Sequence, residues 1–436
     1  MKAVNVGLLG LGTVGGGTLA VLHRNADEIS RRAGREIRVA AAAVRDPAKR
    51  RPVDTGGLRL TTDPRDIVDD PGVDIVVELI GGDGAARQAV LRAIDNGKHL
   101  VTANKALIAL HGNTIFEKAQ QRGVMVAFEA AVAGGIPIIK LIREGLAANR
   151  IEYLAGIING TCNYILTRMQ EAGDGFDRVL REAQDLGYAE ADPAFDIEGT
   201  DAAHKLTILA SIAFGIPLQF ERVHVQGITA VGAEDIAYAR ELGYRIKHLG
   251  LARRTADGIE LRVHPTLIPE RRLIASVGGV MNAILVRADA LGPTLYYGAG
   301  AGAEPTASSV VADLVDVVRA ITTDPENRVP HLAFQPGSLA ALPLLSIEQV
   351  ETAYYLRLTV VNRPGVLAAI TRIFGDSDIS IDTILQKGRG RPNENVTVIM
   401  LTQETRERNM NAATAALGKL DTVTGEIARI RLERLP

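Results

Sequence analysis

The sequence has one cysteine, Cys162, and no tryptophan. A single thiol excludes an intramolecular disulfide and fits a reducing compartment. The eight histidines are scattered, with no two standing three or four residues apart, so a zinc or iron site is not expected. No uninterrupted apolar run approaches the roughly 20 residues of a membrane span. A formal net charge of −2 leaves no electrostatic footprint for nucleic acid. The opening MKAVNVGLLGLGTVGGG is glycine-rich and lacks a small-residue cleavage pattern, so no signal peptide is read. These absences lead to the expectation of a cytoplasmic protein with neither a nucleic-acid nor a membrane partner.

What is present is ordinary in composition and specific in pattern. With 436 residues, 47% hydrophobic and 23% charged, the chain is long enough for two or three domains with real cores. Residues 4–9 form a short apolar run suited to a buried parallel strand. It enters Gly10-Leu11-Gly12-Thr13-Val14-Gly15, and a helical pattern follows over residues 18–29. Gly10 permits the tight turn, Gly12 lets the backbone approach a pyrophosphate, and Gly15 lets helix and strand sit close. The helix start then offers unpaired N–H groups to phosphate, with Thr13 and Val14 inside the motif. A second strand over residues 37–44 ends at Arg45-Asp46. Arg45 suits the 2′-phosphate of NADP, while Asp46 keeps NAD open. Further strands over 73–79 and 99–101, with a helix over 85–96 between them, imply a parallel, doubly wound sheet. Lys105, in Thr102-Ala103-Asn104-Lys105, then lies past a strand's carboxyl end, where ligands bind in such sheets.

A strand over 124–128 leads into Glu129 and a run of small residues through Val132, Gly134, Ile136 and Pro137. Carbonyls turned inward beside one acid are hard ligands for an alkali or alkaline-earth ion, and a tight linker is the plainer alternative. Residues 138–145 look helical. Asn159-Gly160-Thr161 marks a polar turn, beside which Cys162 reads as a buried thiol because no base stands next to it. The densest chemistry lies in AQDLGYAEADPAFDIEGTDAAHK, residues 183–205, with Glu190, Asp192, Asp196, Glu198 and Asp201. Asp201 and Lys205 stand four apart at the start of a helical pattern and so share a face. Five acids beside one lysine suit a small cation-bearing substrate with a proton to move; taken alone, a solvated acidic loop is the simpler reading. Mixed strands follow, over 261–268 and 283–288 among others. Residues 296–305, which contain Gly302, read as a flexible glycine loop facing either a cofactor or nothing. Pro305 opens an apolar helix through Ile321.

Residues 324–349 carry four prolines and read as a linker. Beyond them come a strand over 354–361, the turn Asn362-Arg363-Pro364-Gly365, a helix over 366–374, strands over 379–386 and 396–401 around the loop 387–395, a helix over 404–417 and a strand over 427–435. That order, βαββαβ, is a split-βαβ, ferredoxin-like sheet, which by itself says little about function.

On Gly187-Tyr188-Ala189-Glu190, Asp192-Pro193, Asp196-Ile197, Gly199, Asp201 and Lys205, together with the motifs at 10–15, 102–105, 129–137 and 159–161 in the same order, residues 1 to about 325 resemble the homoserine dehydrogenase family. The tail resembles an ACT domain, with Asn362 and Gly365 in its first turn as candidate effector-binding residues. The resemblance implies a Rossmann-type dinucleotide domain (1–128, with a helix over 305–323 packing back on it), an α+β catalytic and dimerisation domain (129–304), a linker and an ACT domain (350–436). It further implies reversible reduction of L-aspartate 4-semialdehyde to L-homoserine with NADPH or NADH. Lys205 becomes the general acid, Lys105 a catalytic and cofactor-side lysine, and Glu190, Asp196, Asp201, Gly160 and Thr161 the substrate site. A sodium or potassium ion of structural role maps onto Glu129 and the carbonyls of Val132, Gly134 and Ile136. No aspartokinase segment precedes the dehydrogenase region, so a monofunctional enzyme is expected, as a homodimer or homotetramer with threonine feedback through the tail. Deleting residues 350–436 is then expected to leave activity and remove inhibition. Two competing readings are an aspartate-semialdehyde dehydrogenase, for which Cys162 lies in the wrong context, and a non-catalytic amino-acid sensor.

Overall fold

The computed structural model describes residues 2–387 and 391–435. The middle of the predicted loop 387–395, residues 388–390, lies outside the described residues. By compactness the chain divides into one unit of Met1–Glu152, His204–Glu221 and Asn282–Leu342, and a second of Tyr153–Ala203, Arg222–Met281 and Pro343–Pro436. This division cuts across sequence order, so the ACT segment belongs with the middle of the chain, and residues 282–342 belong with its beginning.

In the first unit, β1 (Val4–Leu9), β2 (Ile37–Ala43), β3 (Arg59–Thr61), β4 (Ile75–Glu78), β5 (His99–Thr102) and β6 (Val126–Ala127) form a parallel sheet in the order β3-β2-β1-β4-β5-β6. Its central strands are continuous apolar runs because both faces are covered. The order reverses between β1 and β4, and the glycine motif leaves β1 at that switch point, the place where such sheets bind ligands. The first helix spans Thr13–Arg24, five residues earlier than the apolar period suggests. Its first turn, Thr13-Val14-Gly15-Gly16, has a single apolar side chain, so the period is legible only from its second turn. It stops at Asn25, and a separate helix covers Ala26–Ala33. The late helix Ala303–Ala320 adds Val310, Leu314 and Val317 to the core formed by Val6, Leu8, Leu19 and Leu22.

The second unit contains β7 (Ile151–Ile157), β8 (His224–Val225), β9 (Tyr244–Arg254) and β10 (Ile259–Pro269). Next in sequence, β11 (Met281–Ala288) pairs with β12 (Gly292–Ala299). Tyr296–Ala299 are therefore strand rather than flexible loop, since the strand preference of the contiguous Thr294-Leu295-Tyr296-Tyr297 run outweighs the flanking glycines. The tail supplies β13 (Glu351–Val361), β14 (Ile381–Gln386), β15 (Asn395–Thr402), β16 (Thr405–Arg406) and β17 (Ala428–Leu432), with helices Val366–Asp376 and Glu407–Leu417. Its sheet order, β17-β13-β15-β14, is that of a ferredoxin-like fold. The free edge of β17 pairs in parallel with β10, Thr266 opposite Arg431, so the sheet β7-β9-β10 continues into the tail. One core holds Cys162, Ile165 and Met169 together with Tyr355, Ile399 and Ile430. Deleting residues 350–436 would strip that core, so the tail is not an appendage that can be cut away with the rest left intact. The predicted linker is likewise packed: the His331 ring stacks on Phe116 at 5.0 Å, and Leu344 bridges to Ile259.

Candidate active site

The glycine turn is built as its spacing requires. Gly10 has φ +103°, and a Cβ there would meet the Leu79 carbonyl oxygen at 2.8 Å; one on Gly15 would meet the Gly10 carbonyl oxygen at 2.3 Å. Gly12 has nothing within 4 Å of where its Cβ would be, so its outer side is open. A cavity of about 860 Å³ lies there, lined among others by Gly10, Gly12, Arg45, Asp46, Lys49 and Arg51. The Arg51 guanidinium donates to the carbonyls of Asp46 and Lys49, both at 2.7 Å, and folds the segment past β2 back on itself. This gathers three cations at the rim. Lys49 and Arg51 escaped the sequence reading, although the run RDPAKRR carries the signal. Thr13 and Val14 open the helix beside this cavity. Gly302, by contrast, is the N-cap of Ala303–Ala320 with φ +129° and is not among the cavity's lining residues.

Lys105 is the first residue of the helix Lys105–Gln121, capped by Asn104, whose side chain accepts from the Leu107 N–H. The Asn104 amide also donates to the Gly82 carbonyl at 2.6 Å. Beneath it the buried Glu78 accepts from the Thr102 hydroxyl at 2.7 Å and from the backbone N–H groups of Ile80 and Gly81. Glu78 looks like part of an apolar strand in the sequence, yet its carboxylate locks the loop ends of β4 and β5 that present Lys105.

Glu129 is buried and its carboxylate accepts from the N–H groups of Ile139 and Lys140, while its own N–H donates to buried Asp313. Burial pushes Glu129 up to about 7, against the lowering effect of those two N–H donors, and burial with Glu129 nearby raises Asp313 as well. Two buried acids held above their usual range fit a neighbouring positive charge. The expected carbonyl ligands are partly engaged, Gly134 O by the Ser309 hydroxyl at 2.6 Å and Ile136 O by the Ile138 N–H at 2.7 Å. Residues 138–145 are helical as expected, but the turn Leu141–Gly145 is π rather than α. Among the described residues no group of three His, Cys, Asp or Glu side chains is placed to hold a metal ion.

The acid-rich segment does not act as one cluster. Glu190, Asp192 and Glu198 are exposed, Asp196 is half-buried, and Asp201 is buried. Asn159, expected only to mark a turn, is the N-cap of the helix Gly160–Ala172, its oxygen accepting from the Cys162 N–H. The other end of the same amide donates to Asp196 at 2.7 Å and to Asp201 at 2.8 Å, joining two carboxylates through one group. The Thr161 hydroxyl donates to the Tyr188 carbonyl at 2.7 Å and contacts Asp196 at 3.2 Å. Gly160, Thr161, Asp196 and Asp201 therefore come together, whereas Glu190, exposed, has its carbonyl accepting from Gln184. Gly199, with φ +92°, makes the turn into the helix Thr200–Phe214 and packs on Val225 and His248. Lys205 follows Asp201 by one turn of that helix and is 9% exposed.

Comparison with known proteins identifies the family. Family models described as homoserine dehydrogenase, NAD binding domain, as homoserine dehydrogenase and as ACT domain match residues 10–129, 137–315 and 354–421. A homoserine dehydrogenase of Pseudomonas aeruginosa is 62% identical over the full length of both chains. The crystal structure of a homoserine dehydrogenase from Thiobacillus denitrificans superposes with a TM-score of 0.95 at 67% identity, covering 100% of this chain and 99% of that one. A hyperthermophilic archaeal homoserine dehydrogenase in complex with NADPH has a TM-score of 0.62 at 26% identity, covering 72% of this chain and 98% of that one. The chain belongs to the homoserine dehydrogenase family, oxidoreductases in which a nicotinamide-dinucleotide domain is joined here to an ACT domain.

Proposed function

We propose that the protein reversibly reduces L-aspartate 4-semialdehyde to L-homoserine with NADPH, in the route to threonine and methionine. NADPH, when bound, supplies the hydride to the aldehyde carbon. Negative charge then develops on the carbonyl oxygen, and the Lys205 ammonium stabilises it and donates the proton that completes the hydroxyl. Lys205 recovers its proton from solvent. Asp201 and Glu190 hold the substrate's ammonium, Asp196 and the Gly160-Thr161 turn set its orientation, and Lys105 supports binding beside the nicotinamide. The observation that carries this reading is a single helix start bearing a buried acid and a buried lysine one turn apart, Asp201 and Lys205. Following NADPH oxidation with aspartate semialdehyde tests it: turnover is expected, and none at all would point instead to a non-catalytic sensor.

The three cations past β2 favour NADPH over NADH, and so does the NADPH bound by the archaeal relative. Arg45→Ala is expected to raise KM for NADPH about tenfold or more, since a hydrogen bond to a charged group contributes about 1.5–3 kcal/mol. KM for NADH should stay within about twofold. Equal effects on both cofactors would show that Arg45 does not read the 2′-phosphate. Glu129, with the carbonyls of Val132, Gly134 and Ile136, would hold a sodium or potassium ion whose charge keeps the buried carboxylates ionised.

The tail offers a cavity of about 410 Å³ lined by Asn362, Arg363, Gly365, Val366, Leu367 and Gln386. Gly365 caps the helix Val366–Asp376 there with φ +90°, leaving the helix N–H groups available to a carboxylate. L-Threonine is the proposed effector, bound between paired tails of a homodimer or homotetramer. Because the tail shares the core of the second unit, the test uses the full chain: threonine should inhibit the wild type and act at least tenfold more weakly on Asn362→Ala. Unchanged sensitivity in that variant would refute the site.

A further inference from the structure

Lys247, on β9, is 3% exposed and makes no ion pair among the described residues, with Glu171 and Arg245 as its more distant charged neighbours. Its ammonium donates to the Val277 carbonyl at 2.6 Å and to the Asn163 side-chain oxygen at 3.2 Å. Burying a cation without a counter-charge costs several kcal/mol, so its hydrogen bonds are essential to its being there. Burial lowers this group to about 8, which still leaves it largely protonated near pH 7.

The rest of the arrangement shows what the ammonium holds. The amide nitrogen of Asn163, also buried, shares its hydrogens among the carbonyls of Val277, Gly279 and Met281, at 3.2, 3.0 and 3.2 Å. Lysine and asparagine together thus gather the carbonyls of residues 277–281 beneath one loop. That loop lies over the turn that begins the helix Gly160–Ala172. A Cβ on Gly160 would meet the Val280 carbonyl oxygen at 2.8 Å, so only glycine admits this approach. On either side of Gly160 stand Asn159, which ties Asp196 to Asp201, and Thr161, which reaches Tyr188 and Asp196.

We infer that Lys247 is a positioning residue for the reaction: through Asn163 it holds the loop 277–281 down on the Asn159-Gly160-Thr161 turn and so fixes the polar end of the substrate. The inference rests on the proposal that this turn belongs to the substrate site. The Lys247 ammonium is directed to Asn163 and the Val277 carbonyl rather than to the turn itself, so its loss should appear in substrate affinity rather than in the chemical step. In the full-length enzyme, Lys247→Met keeps the apolar stem of the side chain and removes the charge and the donors. KM for homoserine is expected to rise at least tenfold, with kcat within threefold and the Kd for NADPH within twofold of wild type. Asn163→Ser removes the loop ties from the other side, should Lys247→Met fail to fold, and is expected to give the same split. Either folded variant with KM within twofold of wild type would overturn the inference. So would a fall in kcat at unchanged KM. A wild type that does not turn over homoserine would instead overturn the proposed function, which keeps the two failures distinct.

Discussion

Lys205→Ala is expected to lower kcat for aldehyde reduction by about 10²–10⁴-fold, the range a positioned general acid contributes. The Kd for NADPH should remain within about twofold, because the glycine turn, Arg45 and Lys49 line a cavity to which Lys205 does not belong. The substitution also removes a buried positive charge one turn from the buried carboxylate of Asp201. Some loss of stability therefore accompanies the loss of rate, and Lys205→Met, which keeps the packing of the stem, separates the two. If the ammonium acts as the acid, Met and Ala should fall alike in kcat while Met melts closer to wild type. Lys205→Arg keeps the charge but places a planar, effectively permanently protonated group there, so it should restore electrostatic stabilisation without proton transfer and stay well below wild type. Rapid-mixing measurement of NADPH oxidation with saturating aldehyde checks the order. A Lys205→Ala enzyme retaining more than a tenth of wild-type kcat would remove Lys205 from the chemical step and shift attention to Lys105.

How far the residues themselves announce this machinery depends on whether the signal is local. The Gly10–Gly15 turn is self-contained: Gly10 and Gly15 answer steric demands from Leu79 and from within the motif, while Gly12 leaves its outer side open, so the spacing with its flanking strand and helix identifies it. Five of the six parallel strands were legible for a similar reason, since strands covered on both faces are continuous apolar runs; the short edge strand β3, Arg59–Thr61, is partly exposed and carries no such run. The acid-rich segment was legible as chemistry but not as geometry. Nothing in its spacing separates the buried Asp201 from the exposed Asp192 and Glu198, because Asn159, which sorts them, lies 42 residues upstream of Asp201. Glu78 and Lys247 escaped for the complementary reason. Each sits in a largely buried strand, where sequence pattern reads an ionisable group as surface, and each is held by partners distant in sequence. The tail was recognisable as βαββαβ, yet its dependence on the rest of the unit was not. That dependence comes from one parallel pairing, β10 with β17, and from a shared core that no local pattern records.

Asp235 is a buried polar tie between the tail and the middle of the chain, as is the Arg262–Glu433 pair, and breaking the Asp235 tie should cost about 3 kcal/mol. Asp235 lies in the first turn of the helix Ala233–Glu241 and is fully buried. It accepts from Arg357 Nε at 2.6 Å, from the other arm of that guanidinium at 3.2 Å and from the Tyr355 hydroxyl at 3.0 Å, both donors standing on β13. Its second oxygen also takes the Gly232 N–H at 3.1 Å. The Arg357 side chain is 21% exposed, so its own desolvation is incomplete and the expected cost falls at the low end of the range for buried pairs. Arg357→Met keeps the apolar stem and leaves Asp235 with two neutral donors and no cation. Removing one partner is worse than removing both, because the penalty lies in the stranded charge. The double variant Asp235→Asn with Arg357→Met should therefore be more stable than Arg357→Met alone, by about 1–2 kcal/mol, even though it carries one substitution more. Urea unfolding of the full-length proteins, followed by amide exchange in residues 233–241 and 351–361, measures both quantities. A single variant within 1 kcal/mol of wild type, or a double variant less stable than the single, would mean that the two segments are joined by the β10–β17 pairing, the Arg262–Glu433 pair and the shared apolar core, with little from Asp235.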